Sequence, residues 1–273
     1  MVAILTNDEI RVLATQRAKP AGVIDKDYAL EWLLYGIYHK DSKIRNSMIF
    51  KGGTSIRKIF FPGTWRFSED LDFTILPDTD PETITSGFEE AYDILENESG
   101  IKYEGEINVP DSGRAILGFV HFTGPIGMKN KIKINASRIE KMADPVATQT
   151  VTTSYADLED FQVSGYTLNE VVAEKIRSTM QRSKVRDYYD IWKMFGKDSS
   201  HGFDTELIGG MVKQKCTINN IEYNPSKIFD SGRLDGLKEH WKKELERLVV
   251  EELPEPDKVF SDVKDILEFL PEK

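Results

Sequence analysis

Hydrophobic and polar positions follow two different patterns along the chain. Residues 6–19 and 25–39 carry the apolar spacing of helices. Short apolar runs follow, and they predict strands at 48–51, 66–76, 101–109, 114–122 and 131–137. Further helices are predicted between these strands, at 55–60 and 81–97. This part of the chain therefore predicts an α+β fold with a mixed sheet and flanking helices.

The pattern becomes mainly helical after Ala143-Asp144-Pro145. A threonine-rich connection leads to predicted helices at 168–182 and 186–195, and further helical segments continue to the C-terminus. The sequence thus predicts two domains, one of residues 1–145 and a mainly helical one of residues 146–273. We expect an active-site cleft between them.

Charge and length limit the classes of protein that fit the chain. Its 273 residues include 46 Asp or Glu and 36 Lys or Arg, which gives a formal net charge of -10. A generic nucleic-acid coat protein does not fit this balance, so any contact with nucleic acid needs a local basic patch. Because no stretch approaches the length of a membrane span and the N-terminus lacks a targeting pattern, a cytoplasmic protein with no membrane partner is expected.

Cysteine and histidine usage indicates no structural metal site. The only cysteine, Cys216, excludes an internal disulfide and a zinc site built from several cysteines. The four histidines lack the spacing of metal ligands, and we expect structural or surface roles for His39, His121, His201 and His240.

The segment FKGGTSIRKIFFPGTWRFSEDLDFTIL carries the sharpest chemical signal. Its Gly52-Gly53 pair lets the backbone bend and approach a ligand closely. The helix predicted to start near Thr54 directs backbone N–H groups and a partial positive charge at the same place, which suits a triphosphate. Taken alone, a glycine pair before a helix is more often a simple turn.

Two aspartates follow on a predicted strand. Asp70 and Asp72 are two residues apart, so their carboxylates project from one face and can share a hard divalent cation. An isolated pair of this kind is more often solvated at a sheet edge. Arg66 and Ser68, just upstream on the same predicted face, are placed to contact phosphate, although a solubilising role fits each of them equally well.

These two motifs together resemble a known family. GGTSIRK followed by RFSEDLDF resembles the glycine-turn and D-x-D motifs of the nucleotidyltransferase superfamily. The form R-x-S-x-D-L-D-F is similar to the AbiEii/AbiGii type of toxin, the type IV toxin–antitoxin and abortive-infection proteins that include MenT-like enzymes. The resemblance implies a polymerase-β-like fold, Mg²⁺ (or Mn²⁺) held by Asp70 and Asp72, and an NTP whose phosphates contact Gly52, Gly53, Thr54, Arg66 and Ser68.

A second block, LNEVVAEKIRSTMQRSKVRDYYDIWKMF, is similar to the later motifs of that family. By resemblance, Lys175 contacts nucleotide phosphates and Asp190 is a further catalytic or positioning acid, with Asp187 as the competing candidate. Between 175 and 186 the chain has five basic residues and no acid, which forms a local basic patch. Within it, Arg182 is expected to bind phosphate, and Lys184 and Arg186 are expected to contact RNA. The alternative is a solvated helix face.

Two further features of the sequence bear on mechanism. Tyr188, Tyr189 and Trp192 have the composition to stack on a base, but aromatic residues at this spacing more often pack a helix. The run KIKINAS resembles the strand that carries a third carboxylate in many nucleotidyltransferases, and it has Asn135 in that place. Either two aspartates suffice for metal, or Asp190 compensates, or the catalytic base is weak.

The function implied by the resemblance is that of a toxin which transfers a nucleotide to an acceptor. Some relatives act on the 3′ end of tRNA, so we expect an RNA acceptor, a role in phage defence and a cognate antitoxin as partner. Two alternatives stay open: transfer to a hydroxyl of a protein or small molecule, and a catalytically inactive nucleotide-binding module. The sequence does not distinguish which NTP is used.

Overall fold

The computed structural model of the chain describes residues 4–108, 115–138, 142–196 and 202–271. His201 and the predicted strand ends at 109 and 114 lie outside these ranges. Packing groups the chain into two units, the first of Met1–Ile139 with Val146–Tyr166, and the second of Glu140–Pro145 with Thr167–Lys273. The division into two domains between residues 145 and 146 stays a prediction.

A mixed sheet forms the centre of the first unit. Its described strands are β1 (Met48–Lys51), β2 (Asp70–Ile75), β3 (Tyr103–Glu104), β4 (Ile107–Asn108), β5 (Ala115–Thr123), β6 (Lys129–Ser137), β7 (Ala147–Val151) and β8 (Phe161–Gly165). Their order is β3-β5-β6-β2-β1-β8-β7, and β4 also pairs with β5. The β2–β6 and β1–β8 pairs are parallel and the others are antiparallel. The predicted α+β class and mixed sheet are confirmed.

Helices complete both units. The first unit contains α1 (Asn7–Gln16), α2 (Ala21–Tyr38), α3 (Gly52–Ser55) and α4 (Pro81–Ser99), and a π-helical turn at Ile56–Phe60 extends α3. The described residues of the second unit form α5 (Leu168–Gln181), α6 (Val185–Phe195), α7 (Thr205–Ile218), α8 (Ser231–Leu245) and α9 (Pro256–Ile266). Short 3₁₀ turns lie at Pro225–Phe229 and Leu267–Phe269. The expected helical character of the second half after residue 167 is confirmed.

Local sequence explains where several helices begin and end. Thr6 and Glu9 form a reciprocal capping box at the start of α1. The Asp80 side chain accepts a hydrogen bond from the Thr83 backbone N–H and caps α4, which ends at Gly100 with a φ of 73°. Helix α2 is buried on most of its surface, as expected for a helix that is apolar nearly all round.

Two predictions of local structure were wrong. The threonine-rich connection contains β7 and β8, and β8 pairs with β1 through Phe50 and Gly165. In β7, two exposed threonines alternate with a half-buried alanine and a half-buried glutamine, so the strand lacks a clear alternation of apolar and polar residues. In addition, β2 begins at Asp70, so Arg66 and Ser68 precede the strand and do not share its face.

A buried cluster of charges connects the turn after α3 to helix α2. The Lys58 ammonium is fully buried, lies 2.9 Å from the Asp27 carboxylate and also pairs with Glu31. Arg57 lies 3.5 Å from Asp27, and the Tyr155 hydroxyl donates to Asp27 at 2.9 Å. Burial raises the pKa of Glu31. Burial acts in the same direction on Asp27, but Lys58 and Arg57 outweigh it and the pKa of Asp27 is lowered.

Removal of the central cation of this cluster is expected to be costly. In Lys58→Ala, two buried carboxylates lose their main partner, so the free energy of unfolding should fall by about 3–5 kcal/mol. The exposed pair of Lys43 with Glu90 provides the control, because Lys43→Ala should cost about 1 kcal/mol or less. Urea unfolding of both variants measures the difference, and equal losses would contradict the assigned importance of Lys58.

Candidate active site

The pairing of β1 with β2 brings the glycine turn against Asp72. Lys51 lies opposite Asp72 in this antiparallel pair, and Gly52 follows with a φ of 80°. A Cβ atom on Gly52 would lie 2.4 Å from the Oδ2 atom of Asp72. Glycine is therefore required at 52 for two reasons, the left-handed backbone and the close approach of the carboxylate.

Hydroxyl groups hold the first turn of α3. The Thr54 hydroxyl donates to the backbone carbonyl of Asp70 at 2.5 Å, and the Ser55 hydroxyl donates to the carbonyl of Gly52 at 2.8 Å. The first bond connects α3 directly to the strand that carries the aspartates. Since the first N–H groups of a helix have no partner within it, this turn directs donors and a partial positive charge outward from Gly52.

Arg66 and Ser68 also approach the glycine turn, although neither lies on β2. A Cβ atom on Gly53 would lie 3.1 Å from a terminal nitrogen of the Arg66 guanidinium and 3.5 Å from the Ser68 hydroxyl. Arg66 is almost fully buried, and its other terminal nitrogen donates to the Phe67 carbonyl at 3.2 Å. The structure therefore brings together Gly52, Gly53, Thr54, Arg66, Ser68 and Asp72.

The two aspartates share the more exposed face of β2. Asp70 and Asp72 are half-buried, whereas Leu71 and Phe73 between and after them are fully buried. This alternation agrees with the predicted placement of the two carboxylates on one side of the strand.

Asn135 lies beside Asp72 on the neighbouring parallel strand. The β2–β6 register pairs the two residues, and the Asn135 amide donates to the Oδ1 atom of Asp72 at 2.9 Å. Within the described ranges, no group of three or more His, Cys, Asp or Glu side chains could hold a metal ion. The oxygen ligands that this face offers a metal ion are the carboxylates of Asp70 and Asp72 and the amide oxygen of Asn135. Such a set fits Mg²⁺, which usually takes one or two protein carboxylates and completes its coordination with water and substrate phosphates.

Sequence reasoning missed Lys51. Its side chain is largely buried at the end of β1, opposite Asp72, and its ammonium lies 5.6 Å from the centre of the Tyr166 ring. The Tyr166 hydroxyl is in turn 2.8 Å from the hydroxyl of Thr74 on β2. A lysine that ends an apolar strand directly before Gly-Gly is the signal that could have identified it.

In the second unit, Lys175 lies between two buried acids. Its ammonium is 2.9 Å from a carboxylate oxygen of Asp187 and 2.9 Å from one of Asp190. Both aspartates are on α6 and are almost completely buried, whereas Lys175 is on α5. Arg182 donates to Asp187 at 3.0 Å. Burial by itself raises the pKa of Asp187, but Lys175 and Arg182 outweigh it, so the pKa is lowered and the carboxylate stays charged.

The remaining candidate residues between α5 and the end of α6 differ in how exposed they are. Arg182 and Lys184 are exposed in the connection between α5 and α6, and Arg186 is half-buried. Tyr188 and Tyr189 are buried, with the Tyr188 ring edge-on to Phe260. The Trp192 indole donates to Asp262 at 2.7 Å. Helix packing therefore agrees with the structure for Tyr188 and Tyr189, because base stacking needs an accessible ring. Trp192 is half-buried, and its role stays a prediction.

A comparison with protein families decides the identity of the chain. Residues 32–268 match the model of the nucleotidyl transferase AbiEii toxin family of type IV toxin–antitoxin systems. The chain belongs to the AbiEii family. It is therefore a nucleotidyltransferase toxin of a type IV system, as the motifs around Gly52 and Asp70 predicted.

A solved structure of a toxin has a similar fold to this chain. MenT4, a nucleotidyltransferase toxin from Mycobacterium tuberculosis, is 20% identical and superposes with a TM-score of 0.69. The match covers 98% of this chain and 90% of MenT4. The comparison with curated proteins found no match to this chain. In its described residues, no helix is long and apolar enough to cross a membrane.

The two glycines of the glycine turn, Gly52 and Gly53, should respond differently to an added methyl group. Gly52→Ala must adopt a left-handed backbone, at about 1–2 kcal/mol, and must also displace the Asp72 carboxylate. Gly53→Ala keeps an ordinary backbone and meets a terminal nitrogen of Arg66 at 3.1 Å, which a shift of a few tenths of an ångström would relieve, so it should cost less. Thermal unfolding measures both variants. Equal losses of stability would contradict the packing of Gly52 against Asp72.

Proposed function

We propose that this toxin transfers a nucleoside monophosphate from an NTP to the 3′ hydroxyl of an RNA such as tRNA, with the help of Mg²⁺ or Mn²⁺. The observation that carries the proposal is the convergence of the glycine turn and the D-x-D carboxylates, with Gly52 in contact with Asp72. A phosphate group and a cation bound at this point would be neighbours, which a nucleotidyl transfer requires.

The glycine turn is proposed to bind the triphosphate. The N–H groups at the start of α3 offer hydrogen-bond donors, and the guanidinium of Arg66 and the hydroxyl of Ser68 approach Gly53 from the side. Together these groups bind and orient phosphate oxygens through fixed donors. Burial of Arg66 supports this role, since a guanidinium with little freedom loses little entropy when it binds phosphate.

Asp70 and Asp72 are proposed to hold the divalent cation, which when bound supplies charge neutralisation for the phosphate oxygens. The amide of Asn135 orients the Asp72 carboxylate by its hydrogen bond of 2.9 Å. In the transfer, the acceptor hydroxyl oxygen forms a bond to the α-phosphorus, the bond from that phosphorus to the bridging oxygen breaks, and pyrophosphate leaves. The hydroxyl proton is released to solvent or a nearby base.

Lys175 is proposed to neutralise the triphosphate, with Asp187 and Asp190 as its positioning residues. Because Asp190 is fully buried and lies 2.9 Å from the Lys175 ammonium, its geometry supports a role through Lys175 better than direct contact with the acceptor. Arg182, Lys184 and Arg186 are proposed to bind phosphates of the nucleotide or the RNA. A cognate antitoxin, a role in phage defence and a cytoplasmic location complete the proposal.

Loss of either D-x-D carboxylate should slow transfer strongly. We expect Asp70→Asn and Asp72→Asn to slow the reaction at least about 100-fold each, because several kcal/mol of charge stabilisation depends on the cation. The purified variants are incubated with Mg²⁺, each α-labelled NTP in turn and total tRNA, and a gel resolves RNA and protein. Asp78→Asn is the matched control, an exposed aspartate shortly after the same strand that should retain activity.

The gel separates the proposed acceptor from its alternatives. Label on RNA that disappears in both aspartate variants supports the proposal. Label on protein would replace the RNA acceptor by a protein hydroxyl, and full activity in Asp70→Asn and Asp72→Asn would overturn the metal site.

Asn135 offers a second test that does not depend on turnover. Asn135→Asp removes the donor to Asp72 and adds a third carboxylate, so the metal-free protein should be less stable while Mn²⁺ should bind at least about tenfold more tightly. Asn130→Asp, on the same strand, is the control. Electron paramagnetic resonance of free Mn²⁺ gives the affinity, and thermal unfolding without metal gives the stability. Equal Mn²⁺ affinity in both variants would contradict a cation beside Asn135.

A further inference from the structure

The sheet has an open face that continues from the aspartates onto β6 and β5. On β6, the buried side chains of Ile132 and Ile134 alternate with positions that face the other way. On β5, Val120 and Phe122 are buried in the same manner. Directly paired residues point to the same side of a sheet, so the described open positions of the two strands form one surface. They are Phe119, His121, Thr123, Lys129, Lys131, Lys133 and Asn135.

This surface carries three lysines and no acid, although the whole chain has a net charge of -10. Lys129, Lys131 and Lys133 follow one another at alternate positions of β6, at separations of about 6.6 Å. Lys133 is opposite Asp70 of β2, but Lys131 and Lys129 are opposite His121 and Thr123 of β5, so their mutual repulsion is not offset by an acid paired with them. Nor do the lysines protect an edge, because β6 lies between β5 and β2. The nearest acid on the neighbouring β3 is Glu104, which pairs with His121.

An exposed aromatic ring lies among these lysines. Phe119 is 43% exposed, and the Lys131 ammonium lies 4.1 Å from the centre of its ring. A phenylalanine on an open sheet face adds no burial to the core, and a ring next to cations is the combination that stacks bases and binds phosphates in single-stranded nucleic acids. Lys133 pairs with Asp70 in the β2–β6 register, so the row of lysines begins at the proposed metal site.

We propose that the open face of β5 and β6 binds the acceptor RNA as a single strand, with the backbone phosphates along Lys129, Lys131 and Lys133 and a base stacked on Phe119. This inference rests on the proposed RNA acceptor. The strand would enter the site at Asp70, where the 3′ end must lie for its hydroxyl to attack. Charge complementarity selects an anionic polymer, and the exposed ring selects one with flat bases.

The test uses the full chain and a fluorescent single-stranded RNA with a free 3′ hydroxyl, followed by anisotropy at several salt concentrations. Phe119→Ala should weaken binding about 5- to 150-fold. In Lys129→Gln/Lys131→Gln, the slope of log affinity against log salt should become shallower by about 1.4, the value for two contacts with a single strand. Binding of NTP to these variants should not change.

A matched double variant removes the same two charges elsewhere. Lys43→Gln/Lys102→Gln changes exposed lysines of the first unit that pair with Glu90 and Glu96 of α4, and RNA affinity and salt slope should stay near those of the unchanged protein. Wild-type labelling of RNA together with unchanged binding in the β5 and β6 variants would overturn the inference and leave the proposed function intact. Labelling of protein by the wild type, with no affinity for RNA, would overturn both.

Discussion

Strand β2 lies between β1 and β6, and these two neighbours place the groups around Asp72. Its antiparallel partner brings Gly52 against Asp72, and its parallel partner brings Asn135 to the other side of the same carboxylate. A shift of the strand by one residue would turn Asp72 toward the core and Phe73 toward solvent. Because Leu71 and Phe73 are fully buried, the hydrophobic effect opposes this shift. Apolar residues with no chemical role thus determine where the carboxylates lie.

Buried ion pairs hold the polar groups of both units in defined positions. Lys58 joins the turn after α3 to Asp27 and Glu31 of α2, and Lys175 joins α5 to two aspartates of α6. A buried ion pair gives little net stability relative to well-packed apolar side chains, but a single broken pair is costly. We expect these clusters to favour one arrangement of the helices more than they add net stability. In the second unit, that arrangement determines the orientation of the Lys175 ammonium.

Charge is distributed unevenly over this acidic chain. The net charge of -10 argues against nonspecific attraction to nucleic acid, yet the open face of β6 carries Lys129, Lys131 and Lys133 beside an exposed Phe119. The connection between α5 and α6 exposes Arg182 and Lys184. An acidic surface that repels polyanions elsewhere would favour binding at such basic regions, so that the sum of charges and their placement act together on specificity.

The pattern of residues predicted the α+β class and the strand of Asp70 and Asp72, because alternating hydrophobicity and residue spacing are local properties. The family was predicted from the resemblance of two motifs to those of known toxins. The sequence also indicated Asn135 as the departure from a third carboxylate. The folded structure was needed to show that Arg66 and Ser68 reach Gly53 from outside the strand, that Asp190 is buried against Lys175, and that Lys51 lies opposite Asp72. It also decided that the threonine-rich segment supplies two strands. These facts depend on strand register and on contacts between distant parts of the chain, which no local pattern encodes.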